Sequence, residues 1–138
     1  MEVQRGKIVI VEDDLDAQEA LTRVLRGLGY EVWPAGNGEL ALLLIERHKP
    51  DLICLDLSLP SISGFDVCEA VKSNRDTALS RVLVLTGRES PQDRAIAEAL
   101  GADEYLTKPF SMGILTSLVE RLTCQTQEPI QLQPKVQQ

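Results

Sequence analysis

Asp51-Leu52-Ile53-Cys54-Leu55-Asp56-Leu57-Ser58-Leu59-Pro60, closed by Gly64, is the stretch whose reading decides the fold. Leu52, Ile53, Cys54 and Leu55 form an apolar run that ends in one carboxylate, Asp56. A turn with Pro60 and Gly64 follows, and an amphipathic pattern begins at Phe65. A short apolar run bounded by turn signals reads as a buried strand. A charge at the carboxyl end of such a strand stands where open α/β sheets place their ligand sites.

The same alternation extends in both directions. Upstream, Lys7-Ile8-Val9-Ile10-Val11 is apolar and β-branched, a first strand, and Glu12-Asp13-Asp14 ends it. Asp14 suits the cap of the helix that follows, where Leu21, Val24, Leu25 and Leu28 recur at helical spacing and Gly29 marks the stop. Glu31-Val32-Trp33-Pro34-Ala35 is a short strand whose proline marks its end or an edge. Asn37-Gly38 is a turn signal, and an apolar segment through Leu40 and Ile45 predicts a second helix ending near His48 and Pro50. Downstream, a helix runs through Val67, Cys68 and Val71, and Arg81-Val82-Leu83-Val84-Leu85 is a fourth strand closed by Thr86-Gly87. Pro91 fits the first turn of a helix that Gly101 ends. Glu104-Tyr105-Leu106 is a brief fifth strand, and Leu115, Leu118, Val119 and Leu122 share one face of a last helix. Five strands alternating with five helices predict a single α/β domain, a doubly wound parallel sheet with helices on both sides.

Composition agrees with one soluble domain. The chain has 138 residues, 43% hydrophobic and 25% charged, ordinary proportions for a globular protein with a real core. A net charge of -7 argues against direct binding to a nucleic acid backbone. No run approaches the roughly 18 apolar residues of a membrane span, and the polar start lacks a signal-peptide core, so a cytoplasmic location is expected. Three cysteines, Cys54, Cys68 and Cys124, have no paired spacing, as expected of free thiols in a reducing compartment. After Cys124 the composition shifts to Gln and Pro, and residues 124–138 read as a disordered tail or the start of a linker.

The chemistry gathers at the strand ends. Strands one, three and four finish with Glu12-Asp13, Asp56 and Thr86, and Lys108 lies just beyond strand five. In a parallel sheet these ends share one edge. Two like charges about 4 Å apart cost on the order of 4 kcal/mol at an effective dielectric near 20. A raised pKa or a bound cation relieves that repulsion, and oxygen-only ligands in a partly open site suit Mg2+. The alternative is that Glu12-Asp13-Asp14 only caps a helix and offsets its dipole. For Asp14 that is the expected role.

Four motifs in order give the chain a family likeness. They are Val11-Glu12-Asp13-Asp14, Asp56-Leu57-Ser58-Leu59-Pro60 with Gly64, Leu85-Thr86-Gly87, and Gly101-Ala102-Asp103-Glu104-Tyr105-Leu106-Thr107-Lys108-Pro109-Phe110. Over residues 6–123 the chain resembles the CheY-like receiver domain of two-component response regulators. The resemblance implies a flavodoxin-like sheet of strand order 2-1-3-4-5, which the general account of doubly wound folds gives for CheY. It implies a phosphoacceptor switch, a signalling protein and not an enzyme, that takes a phosphoryl group on Asp56. Asp13, Asp56 and the backbone carbonyl of Ser58 would hold Mg2+, with Glu12 acting through a water. Lys108 would pair with Asp56 and then with the phosphoryl oxygens, and its bond to Pro109 would be cis. Thr86 and the Gly87 amide would contact the phosphoryl group, with Tyr105 turned inward behind them. Gly87 stands where relatives more often have Ala, which loosens that loop.

Partners also follow from the resemblance: a sensor histidine kinase or phosphotransfer protein, and a downstream effector or output domain answering the α4-β5-α5 face. A phosphorylation-dependent homodimer is compatible with it. By the same resemblance, Ser58 and Arg88 would border the approach of hydrolytic water and tune the phosphoryl lifetime. Ser58 is short and Arg88 has no acceptor, so slow self-dephosphorylation is expected. The rival readings are a Mg2+-dependent phosphatase of the haloacid dehalogenase type, a flavodoxin, and a pseudo-receiver that takes no phosphoryl group. The phosphatase needs its nucleophile on the first strand. A flavodoxin needs a phosphate-cradling first loop, and here that loop is acidic.

Overall fold

Strand residues alternate between two cores. Ile8 and Ile10 of β1 (Lys7–Val11) enter one cluster, and Val9 and Val11 the other. This is the period-2 geometry of a strand covered on both faces. The computed structural model of the chain describes residues 5–87 and 90–127, the last three of them by backbone alone. Arg88 and residues 128–138 therefore lie outside the described residues.

Five strands pair in parallel in the order β2-β1-β3-β4-β5. They are β1, β2 (Glu31–Ala35), β3 (Leu52–Leu55), β4 (Arg81–Thr86) and β5 (Glu104–Thr107). Between and after them run α1 (Leu15–Gly27), α2 (Gly38–His48), α3 (Gly64–Ser73), α4 (Pro91–Ala99) and α5 (Met112–Gln127). Leu21 and Leu25 of α1 and Leu115, Val119 and Leu122 of α5 fill one core. Ala41 and Ile45 of α2, Val67, Cys68 and Val71 of α3, and Ala97 of α4 fill the other. The doubly wound sheet read from the alternation is the fold, and the strand order is that of the flavodoxin-like group.

Local chemistry sets most boundaries. Asp14 caps α1 by accepting the Ala17 N–H at 2.9 Å, as expected. Pro34 sits in β2, an edge strand, where its lack of an N–H leaves no gap in a central ladder. Asn37, read as part of a turn, caps α2 by accepting the Leu40 N–H at 2.8 Å. Ser90 caps α4 ahead of Pro91. The last helix runs on to Gln127, so the compositional shift after Cys124 does not end it. Lys49 closes α2 in the left-handed region at φ 48°.

The amino-terminal edge of the sheet is tied by polar side chains. Asp103 accepts the Val82 N–H at 2.8 Å and pairs with Lys72 at 3.3 Å and Arg81 at 3.4 Å. Asp51 accepts the Lys7 N–H at 2.8 Å. Nearby, the rings of Trp33 and His48 stack with centroids 3.8 Å apart and an interplanar angle of 13°.

Cys54 and Cys68 are buried and Cys124 is exposed. Burial pushes the Cys54 thiol up to about 12 and, despite the opposing charge of Lys72, the Cys68 thiol up to about 11. A thiol reagent at neutral pH is therefore expected to modify Cys124 alone in the native chain and all three cysteines after denaturation. Two fast-reacting thiols in the native protein would contradict this packing.

Candidate functional site

The carboxyl ends of β1 and β3 are neighbours by register. Val11 pairs with Leu55, and the Asp56 N–H donates to the Val11 carbonyl at 3.0 Å. The next residue on each strand is then a carboxylate, Glu12 and Asp56. The Glu12 N–H donates to Ala35 O at 3.0 Å, which fixes the first acid against β2. One carboxylate oxygen from each of Glu12, Asp13 and Asp56 lies within 4.8 Å of the others. Glu12 and Asp56 are buried and Asp13 is exposed.

Asp56 is held from two sides. Its Oδ1 accepts the Ser58 N–H at 2.9 Å, and its Oδ2 lies 3.1 Å from Lys108 Nζ. Lys108 arrives from the loop after β5, anchored where its own N–H donates to Thr86 O at 2.8 Å. The Lys108–Pro109 peptide bond is cis. The ammonium makes its shorter contact to Glu12 Oε1, at 2.7 Å. Family likeness paired Lys108 with Asp56; the geometry makes it a cation shared by both acids. Burial works to lower the Lys108 pKa, but hydrogen bonds to Glu12 and Asp56, reinforced by their charges, outweigh it and hold the group above the ordinary lysine value. A raised lysine pKa adds stability that is complete below about pH 10.4 and lost as pH rises through the folded value. The lysine therefore stays charged at neutral pH.

The remaining residues lie on the same edge. Thr86, at the finish of strand four as expected, is the last residue of β4 and fully buried. Tyr105, 8% exposed, lies inward on β5, with the Arg94 guanidinium of α4 over its ring at 5.1 Å. That is a cation–π distance, and nothing in the local pattern of α4 announced it. Gly64 N–H donates to Leu57 O at 3.1 Å. A Cβ on Gly64 would lie 2.4 Å from Asp56 O and 2.6 Å from Leu57 Cα. The glycine is thus a steric requirement of the loop under Asp56, beyond the turn signal it gives. Gly87 is exposed, with open space where a Cβ would stand.

The donor set fits a hard divalent cation. Its ligand atoms are all oxygen, one acid is open to solvent, and the lysine offsets only one of three negative charges.

Comparison with known proteins places this arrangement. The family model for the response regulator receiver domain matches residues 8–120. The DNA-binding response regulator MtrA of Mycobacterium bovis is 35% identical over 133 residues, which cover 96% of this chain and 57% of that protein. The probable transcriptional regulator ycf27 of Cyanophora paradoxa is 33% identical over 129 residues, 94% of this chain and 53% of that protein. Among solved structures, the receiver domain of sensor histidine kinase PA1611 from Pseudomonas aeruginosa has magnesium coordinated in its active site cleft. It superposes with a TM-score of 0.79 at 28% identity, covering 86% of this chain and 98% of that one. The chain belongs to the response regulator receiver domain family, the signalling modules of two-component systems. It spans a little over half the length of the curated relatives it matches, 57% and 53%. Among the described residues no helix is long and apolar enough to cross a membrane.

Proposed function

We propose that Asp56 is the phosphoacceptor of this receiver, and that Asp13, Asp56 and the Ser58 carbonyl hold Mg2+ for the transfer. The observation that supports this best is Asp56 itself. It is the strand-end carboxylate at which a lysine ammonium, a buried acid and an exposed acid meet. In the proposed reaction an Asp56 oxygen attacks the phosphorus of a phosphohistidine presented by a sensor kinase or phosphotransfer protein. The P–N bond breaks, its electron pair returns to the imidazole, and the new O–P bond makes an acyl phosphate. When bound, Mg2+ supplies positive charge that offsets the transferring oxygens. Lys108 supplies more, and the fixed geometry contributes by positioning.

The acyl phosphate adds charge and acceptor oxygens beside Thr86 and the Gly87 amide. Thr86 and Tyr105 then favour a second arrangement of α4, β5 and α5, a shift of populations read by an effector or an output domain. A homodimer through that face, a cytoplasmic setting and a phosphoryl lifetime tuned by Ser58 and Arg88 belong to the same reading.

The test is direct. With a small phosphodonor and Mg2+, the wild type is expected to gain one phosphoryl group, located on Asp56 by peptide mass. Asp56→Asn or a chelator should abolish it. Modification that survives the chelator would remove the metal assignment, and modification of Asp56→Asn would remove the acceptor.

A further inference from the structure

Glu12 is engaged at every polar atom. Its Oε1 holds Lys108 Nζ at 2.7 Å, and its Oε2 accepts the Asp14 N–H at 3.1 Å. Its carbonyl accepts Gln18 Nε2 at 2.9 Å, its N–H donates to Ala35 O, and its residue surface is 3% exposed. A carboxylate bound on both oxygens has little freedom to swing toward a ligand. Asp13, by contrast, is exposed. The two acids that follow β1 are therefore not equivalent.

The ammonium and a divalent cation call on the same acid. Asp56 has two oxygens, one already accepting the Ser58 N–H and the other facing Lys108. An ammonium paired with Asp56 alone would oppose uptake of a second cation there. Glu12 gives it another partner, at a shorter distance than Asp56 does. Chain length matters: one methylene fewer would withdraw the oxygen by about 1.5 Å, beyond hydrogen-bond reach.

We propose that Glu12 is the positioning residue of Lys108, anchoring its ammonium beside Asp56 so that cation uptake by Asp13 and Asp56 proceeds with the lysine kept in place. The purpose of that anchor rests on the phosphoacceptor reading above, but its test is a binding measurement. If Glu12 acts on the cation directly, or through a water, its effect is independent of Lys108. If it acts through Lys108, the two side chains are coupled, and a double-mutant cycle measures the coupling.

Mg2+ affinity is to be measured by titration calorimetry on the full chain, for wild type, Glu12→Gln, Lys108→Met and the double variant. Melting curves check that each is folded, and Lys108→Gln replaces Lys108→Met if the latter is not. Glu12→Gln is expected to weaken Mg2+ binding about tenfold more when Lys108 is present than when it is replaced. Equal weakening in both backgrounds, or greater weakening without Lys108, would overturn the positioning role and assign Glu12 to the cation itself. A wild type that binds no Mg2+ would overturn this inference together with the metal assignment. Coupled Mg2+ binding in a chain that still accepts no phosphoryl group would support the inference and sink the phosphoacceptor reading alone.

Discussion

Lys108→Met should slow phosphorylation of Asp56 by a small donor about a hundredfold or more, the scale seen when one preorganised donor to developing charge is removed. The methionine keeps most of the apolar stem and deletes the ammonium, so the loss reports charge more than packing. The same change leaves Glu12, 3% exposed, and Asp56, 7% exposed, without their shared cation. Breaking such a pair strands a buried charge. The Lys108 side chain is 29% exposed, so the expected metal-free destabilisation is about 1–3 kcal/mol, between a surface and a buried pair. Initial rates of acyl phosphate formation and urea unfolding with and without Mg2+ measure both effects. A variant that is phosphorylated at the wild-type rate would show that Lys108 serves the fold and not the transfer.

Gly64→Ala is the second large effect. The added Cβ meets backbone atoms, Asp56 O at 2.4 Å and Leu57 Cα at 2.6 Å, and neither is the flexible end of a side chain. The chain must shift under the acceptor itself. Destabilisation of about 3 kcal/mol or more is expected, lowering the melting temperature by about 10 °C or more for a domain of this size. Gly87→Ala is the control, since nothing lies within 4 Å of its Cβ position, and its effect should stay within about 0.5 kcal/mol. Equal melting of the two variants would remove the steric argument at Gly64.

The sheet was legible because its cause is local. Apolar runs of strand length, helical spacing in Leu21, Val24, Leu25 and Leu28, and the caps and breakers Asp14, Pro34 and Pro91 act over a few residues. The meeting of Glu12, Asp13, Asp56, Thr86 and Lys108 on one edge follows from parallel strands alone. The partner of Lys108 did not follow, since a choice between two acids turns on side-chain length and rotamer across 96 residues of sequence separation. The Arg94 stack on Tyr105 and the ties of Asp103 to Lys72 and Arg81 are of the same kind: contacts between elements that leave no periodic trace. The extension of α5 to Gln127 was hidden differently, because Gln and Thr are as compatible with a final helical turn as with a linker.

The stacked pair of Trp33 and His48 has a practical consequence for spectroscopy. The chain contains one tryptophan and one histidine, and they lie against each other where α2 ends, at the opposite edge of the sheet from Asp56. Tryptophan emission, excited selectively over that of Tyr30 and Tyr105, therefore comes from a chromophore that watches the seam between β2 and α2. It is a good gauge of whether the domain is intact and a poor gauge of what happens at its acidic end. An optical signal for the switch has to be introduced near Tyr105.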